Sequence, residues 1–386
     1  MDIQAFQYIL GQGWSLNEFP DLDSEQTLVL VFASPEFINH VKPIIELANF
    51  YSKSSLIGCS SAGEIFGSKI FDQSLSVVVV RFNTTLLKIA KAKVEHVTDS
   101  NRAGISIAQQ LKGPDLKSIF VLSDGLSVNG SELVKGLNTV AEDKGLVITG
   151  GLAGDGSNFK QTWTVVGGEI LTNYVVAVGF YGSHIHVGHA SKGGWDKFGP
   201  VRRVTRSESN ILYELDYQPA LQLYKEYLGE KASELPSSGL LYPLAISEID
   251  GNESIQLVRT ILAVDEKEQS LIFAGDIPTG CYAQLMRANF DRLIDSANEA
   301  GQLANQRMMN DHLDTIGPLL AIDISCVGRR LLLGERTEEE IESALISLPK
   351  GSTQVGFYSY GELSPFAVGK CELHNQTMTI TTFYEY

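Results

Sequence analysis

Residues 26–34 read QTLVLVFAS. This unbroken apolar run, rich in β-branched side chains and closed by a turn signal, reads as a buried strand. Working outward from it, a helix is expected over 36–51, a short strand at 55–59, a glycine loop, and a second strong strand at 74–82. Residues 101–111 carry a helical pattern and 118–123 a buried strand. Ser131 is a good N-cap for a helix with Val134, Leu137 and Ala141 on one face, and Gly145 ends it. A further strand at 146–149 runs into a glycine cluster. Strands alternating with helices imply an α/β layer architecture for this half.

From 161 to 194 the pattern becomes strand after strand, with glycine and serine at hairpin spacing, which predicts antiparallel sheet. A polar joint at 206–210 (RSESN) divides the chain into domains 1–205 and 206–386. The second half reads as a helix at 219–228, a polar loop at 233–239, strands at 255–264 and 271–274, and a helical stretch over 279–312. That stretch sets Tyr282, Leu285, Met286, Leu293, Ala297, Ala300 and Ala304 along one face, fitting either internal packing or a dimer seam. A strand at 319–326 follows. Thr337 and Glu340 spell a capping box for a helix to 348, and strands at 354–360, 365–373 and 378–384 come last. The expected fold class is mixed α/β (α+β), with two sheet-containing domains and helices packed on them.

At 386 residues the chain is two to three times the usual ~150 residues of a domain. It is long enough to fold without disulfide or metal staples. There are 46 acidic residues against 30 basic ones, a formal net charge of −16. Binding duplex DNA or an anionic membrane needs a positive field. The most basic stretches, 201–206 (VRRVTR) and 328–330 (GRR), are too small to supply one. Neither nucleic acid nor membrane insertion is expected. No Lys or Arg precedes Lys42, so the start resembles neither a secretory signal nor a mitochondrial presequence. Apolar runs such as 77–80 are far below the ~20 residues of a membrane helix. Cys59, Cys281, Cys326 and Cys371 lie far apart with no CxxC pair. Reduced thiols and a cytoplasmic location are the expectation.

Three times a strand runs into a glycine-bearing segment with an acid: 58–64 (GCSSAGE), 150–156 (GGLAGDG) and 356–362 (GFYSYGE). Such loops open backbone N–H groups to a ligand, and tight turns in a sheet-rich chain give the same spacing. The first resembles a nucleophile elbow around Ser60, with Cys59 as an alternative nucleophile, but Ala62 replaces the second glycine of G-x-S-x-G. The second has neither the Lys-Ser/Thr ending of a P-loop nor the G-x-G-x-x-G spacing, so ATP and NAD are not expected. Its Asp155 offers a contact to an amine or hydroxyl. Ser123-Asp124-Gly125 ends a buried strand, where α/β folds place ligands and where Asp-Gly is equally turn chemistry. His184, His186 and His189 form the local histidine cluster, with His184 and His186 on one strand face as a metal or haem requires. His374 stands in the polar interruption 373–377 (LHNQT). It is either a turn residue or, with Tyr358 and Tyr360, the wall of a polar-aromatic pocket.

These segments carry a resemblance. Residues 58–64, 123–125 and 150–155 are similar to the N-terminal FIST module. Residues 216–220 (DYQPA), Tyr224 and 227–229 (YLG) resemble its junction with the C-terminal FIST module. Residues 326–330 (CVGRR), 356–365 (GFYSYGELSP) and 374–377 (HNQT) resemble the rest, in order over nearly the whole chain. The resemblance implies a bacterial, intracellular sensory module for small ligands such as amino acids or related metabolites. It further implies an output partner such as a histidine kinase, a diguanylate cyclase or a phosphodiesterase. With no room for an output domain, the expectation is a stand-alone sensor that is not an enzyme. Some members resemble haem-based nitric oxide sensors, for which His184, His186, His189, His312 and His374 are the available donors. The expected ligand pocket lies between the glycine-rich segments and the Tyr358/Tyr360/His374 region. Asp124, Asp155 or Glu362 would hold an amine, and loop N–H groups or Arg329 a carboxylate. Ser123, Gly151 and Asn375 complete the candidate ligand-binding set.

Overall fold

The computed structural model describes residues 1–140, 145–247, 256–309, 319–366 and 370–386. Ala141 and His312 lie outside the described residues. After β1 (Asp2–Ile9), the chain runs through the same course three times. The first course is β2 (Thr27–Ala33), α1 (Lys42–Phe50), β3 (Ser55–Ser60), the hairpin β4 (Glu64–Phe66) and β5 (Lys69–Phe71), β6 (Ser74–Arg81) and β7 (Leu86–Lys93). The second follows α2 (Ser100–Leu111): β8 (Leu116–Ser123), α3 (Gly130–Leu137), β9 (Val147–Leu152), the hairpin β10 (Thr164–Val166) and β11 (Glu169–Leu171), β12 (Tyr174–Tyr181) and β13 (Ile185–Lys192). An inserted β-subdomain with α4 (Ala220–Leu228) and then α5 (Phe290–Met309) intervene. The third course is β14 (Leu320–Cys326), α6 (Val327–Leu333), α7 (Thr337–Ile346), β15 (Thr353–Ser359), the hairpin β16 (Gly361–Pro365) and β17 (Cys371–His374), and β18 (Met378–Glu385).

The three courses build three sheets with one strand order: β11-β10-β3-β2-β6-β1, β17-β16-β9-β8-β12-β7 and β5-β4-β15-β14-β18-β13. In each, a parallel pair and its antiparallel return strand come from one course and the hairpin from another. The strand beside the return strand comes from elsewhere again. No sheet is complete without its neighbours, so the three fold as one body. Alternation along β2 sends Leu28, Leu30 and Phe32 inward and Val29 and Val31 outward. The inner faces share a core in which Phe32 stacks on Phe357 and Phe180 on Phe383, with ring centroids 4.9 and 4.8 Å apart. The outer faces pack on α1, on α2 with α3, and on α5 with α7.

The three glycine echoes occupy one place in the three courses. Gly58, Gly150 and Gly356 stand in the second strand of each parallel pair. A Cβ there would lie 2.2 Å from the Val31 carbonyl oxygen, 1.9 Å from that of Val121 and 1.8 Å from that of Asp323. Only glycine fits so close an approach of two backbones. Four residues on, a ring of hydrogen bonds links the courses: Ala62 N to Tyr358 O (2.8 Å), Gly154 N to Ser60 O (3.1 Å) and Tyr360 N to Leu152 O (3.1 Å). These segments therefore begin as strand rather than loop, and these three N–H groups are spent on one another.

Other expectations change with tertiary context. Within the stretch 279–312, the described residues form a strand, Tyr282–Arg287, and then α5, which runs to Met309. The strand pairs with Asp196–Glu208 and Leu244–Ser247, and burying Ala283 and Leu285 in the subdomain overrides the helical spacing. Ala297, Ala300 and Ala304 are fully buried inside the protein, so this face packs internally. The helix at α3 is capped by Asn129, which accepts from Glu132 N, not by Ser131. The capping box at Thr337 does not form, because the Glu340 side chain turns inward to Arg329, Ser325 and Tyr358. The 205/206 boundary falls inside the long strand Asp196–Glu208. No helix among the described residues is long and apolar enough to cross a membrane.

Candidate functional site

A cleft of about 750 Å³ lies between the three-sheet body and the inserted subdomain. The carboxyl ends of two of the three parallel pairs, β8/β9 and β14/β15, open into it, as ligand sites of α/β sheets do. Gly125, Leu126, Val128 and Asn129 follow β8, Leu152 ends β9, Tyr360 follows β15, and Cys326 to Gly328 join β14 to α6. The facing wall is the subdomain, chiefly Leu240, Thr260, Ile261, Leu262 and the segment from Phe273 to Asp276. Phe159 stacks on Tyr360 at 4.7 Å, which makes a flat aromatic wall.

The polar end of the cleft is built around Asp276. Its Oδ1 accepts from Asn129 Nδ2 (3.3 Å) and its Oδ2 from Lys135 Nζ (3.3 Å), while its N–H donates to Ser131 Oγ (3.3 Å). Lys135 also donates to Glu132 Oε1 at 2.5 Å, and that bond first of all holds the ammonium above its ordinary value. Beneath them Arg259 is buried. It donates to the Asp276 carbonyl (3.1 Å) and, across to the body, to the Leu373 carbonyl (2.9 Å). Burial pulls its pKa down to about 10. Thr260, also buried on the lining, has a hydroxyl with no hydrogen-bond partner.

Of the ten residues expected to bind ligand, only Tyr360 lines this cleft. Ser123 and Asp124 directly precede Gly125 of the lining without lining the cleft themselves. Asp124 is buried and accepts from Leu126 N, Ser127 N and Asn173 N, so its carboxylate shapes the loop entering α3. Asp155 accepts from the N–H groups of Phe159, Lys160 and Gln161 and from the Tyr360 hydroxyl. Burial pushes its pKa up, but those bonds outweigh it and hold the carboxylate below its ordinary range. Its work is to fix the Phe159 loop. Glu362 is bound by Ser359 Oγ and by Thr377 N and Oγ1, and burial raises its carboxyl to about 8. Glu64 is its counterpart in the first course, held by Ser61 and Ser74 and also raised to about 8. Gly151 faces Ile324 and Phe357 in the inner core.

Arg329 is not open to a ligand carboxylate. Its guanidinium is fully buried and donates to Glu340, Gly193 O, Leu293 O and Ser296 Oγ. Tyr358 donates to Glu340 inside the same network. His374 sits away from the cleft with Nε2 at 2.9 Å from Ser364 O, and burial lowers its pKa to about 4. Asn375 beside it is buried with neither amide atom partnered. The structure therefore does not gather Tyr358, Tyr360 and His374 into one wall.

The remaining candidates are equally scattered. His189 is buried, lowered to about 4 by burial and then by Arg307, and its Nδ1 lies 3.3 Å from Arg307 Nη1. His184 and His186 pack against Tyr386. No described histidine lines the cleft, and among the described residues no group of His, Cys, Asp and Glu is arranged to hold a metal ion. Cys59 and Ser60 are wholly buried in β3, and Ser60 Oγ accepts from Trp163 N. A nucleophile elbow would need an exposed turn there. Sequence reasoning missed Glu132, Asp276 and Thr260. Their counterparts across the cleft are over 100 residues away, and only the fold brings them together.

Body, inserted subdomain and cleft define a mixed α+β protein of two interleaved parts with a concave site between them. The chain belongs to the FIST-domain proteins: residues 27–218 match the FIST N domain and residues 220–365 the FIST C domain. These are sensory-type domains. The chain is also similar to an uncharacterized protein of Methanocaldococcus jannaschii, 24% identical over 345 residues. That match covers 80% of this chain and 64% of the relative, so the chain spans less than two thirds of the relative's length.

Proposed function

We propose that the chain is a sensory module that takes a small ligand into the cleft without turning it over. The occupied cleft would be read by a signalling partner, of the histidine-kinase or cyclic-di-GMP type that the family resemblance implies. The observation that supports this reading is the place of the cleft. It has the volume of a small-molecule site, usually about 300–1,000 Å³. It also lies where two parts of the chain meet, so a ligand touching both walls would change how tightly the subdomain is held. Binding without turnover fits the chemistry of the lining, whose one thiol, Cys326, is pushed up to about 12, chiefly by burial, and stays protonated.

The test is a thermal-shift screen of metabolites, since a specific ligand raises Tm by mass action. Leu262 is a half-exposed residue of the cleft wall. Leu262→Trp should fold normally and lose the shift given by the wild-type hits. Hits that shift the variant equally would place binding elsewhere. Chemical conversion of a hit by the protein would refute binding without turnover.

A further inference from the structure

Resting on the reading of the cleft as the ligand site, we propose that its ligand class is an organic cation: a primary amine on an apolar, aromatic-sized body. The charge on the walls carries this. Two carboxylates, Glu132 and Asp276, line the cleft, and among its lining residues there is no lysine, arginine or histidine. The neighbouring cations are already committed. Arg259 is spent on the carbonyls of Asp276 and Leu373, and Arg329 on the Glu340 network. The cation at the two carboxylates, Lys135, is shared between both of them, so a ligand carboxylate would enter with no uncommitted cationic partner, beside a pair that keeps a net negative charge. An ammonium would meet two acceptors.

The protein itself shows what such a group does there. Lys135 Nζ bridges Glu132 Oε1 (2.5 Å) and Asp276 Oδ2 (3.3 Å), joining the first turns of α3 to the subdomain. Its side chain is 59% exposed and is not part of the cleft lining. A ligand ammonium arriving from the cleft side would share or replace this bridge; the lining also includes Thr260, whose buried hydroxyl has no hydrogen-bond partner. The body of the ligand is specified by the stacked Phe159/Tyr360 pair and the apolar side chains Leu126, Leu240 and Ile261. A ring lies well on such a face, and an ammonium near it gains a cation–π term. The net charge of −16 draws cations toward the protein and repels anions.

Calorimetric titration with three probes that share one aromatic body separates the classes: 2-phenylethylamine, L-phenylalanine and 3-phenylpropionate. The amine should bind at least about tenfold more tightly than the anion, which lacks the ammonium and its charged hydrogen bond, and than the zwitterion, whose carboxylate enters without a cationic partner. Lys135→Met, an exposed change, removes the competing ammonium and should tighten amine binding about fivefold. Glu132→Gln with Asp276→Asn should erase the preference for the amine. Equal or tighter binding of phenylalanine or phenylpropionate overturns the proposal, as does Lys135→Met leaving amine affinity unchanged or weaker. Silence from all three probes at about 10 mM overturns it as well. Leu262→Trp distinguishes the two levels. Amine binding that survives it refutes the cleft itself, whereas zwitterion or anion binding that it abolishes keeps the cleft and refutes the amine.

Discussion

Replacing Arg329 by Met tests whether this arginine is a structural clamp or a ligand anchor. Its guanidinium is inaccessible to solvent, as is its partner Glu340, and Nε lies 2.6 Å from Glu340 Oε1. It also donates to Gly193 O (2.6 Å), at the entry to the inserted subdomain, and to Leu293 O (2.7 Å) in α5. Met keeps the stem but leaves the Glu340 charge buried with only Ser325 and Tyr358 as donors. Breaking a buried pair on one side costs about 3–5 kcal/mol. Urea unfolding followed by circular dichroism should show that loss as a lowered midpoint at unchanged slope. Arg329→Met with Glu340→Gln removes both charges and should recover part of it, leaving about 1–3 kcal/mol for the unpaired carbonyls and amide. Under native conditions the affinity for a cleft ligand should stay within about twofold of wild type. A single-variant cost below about 1 kcal/mol, the worth of a surface pair, would refute the clamp. A stable variant that loses carboxylate ligands would restore the anchor.

Two further predictions concern the body. Gly150→Ala should cost more than about 4 kcal/mol, because its Cβ would meet the Val121 carbonyl oxygen at 1.9 Å with φ at +148°. Gly113→Ala, whose Cβ comes no closer than 3.4 Å to Tyr181 and 3.9 Å to the Leu111 carbonyl oxygen, should stay within about 0.5 kcal/mol, and similar melting of the two variants would contradict the threefold strand arrangement. Stability should also depend on pH through two buried pairs. Glu64 and Glu362 are raised from 4.5 to about 8, so the folded state binds more protons there and their contribution is lost as pH rises from 4.5 to about 8. His189 and His374 are lowered from 6.5 to about 4, so their contribution is lost as pH falls through that interval. The effects oppose each other below 6.5, and above it Glu64 and Glu362 act without the histidines, with Asp323, also raised by burial, acting in the same direction. Melting temperature should therefore fall between pH 6.5 and 8, and Glu64→Gln with Glu362→Gln should flatten that fall; an unchanged slope in the double variant would refute the assignment.

The local pattern was informative where a segment's partners do not change its period. The apolar runs 26–34 and 74–82 contain the buried strands Thr27–Ala33 and Ser74–Arg81, and the strand-after-strand pattern of 161–194 corresponds to β10 to β13. The glycine echo was legible as a repeat, but its cause was not. Whether glycine opens a loop to a ligand or lets two strands touch depends on a carbonyl oxygen more than 25 residues away. The same limit governs the site. Asp124, Asp155 and Glu362 read in the sequence as isolated acids after strands, and in the structure each is consumed by backbone N–H or hydroxyl groups of its own surroundings. Glu132 and Asp276 carried no motif. Their meaning comes from α3 facing the inserted subdomain across 144 residues of chain.

The claim that the cleft is the sensory site is tested most directly by hydrogen exchange with and without a ligand that raises Tm. Protection should rise in 125–132, 260–262, 273–276 and 326–331, the segments that face one another across the cleft. Protection confined to other segments, with these four unchanged at saturating ligand, would contradict it.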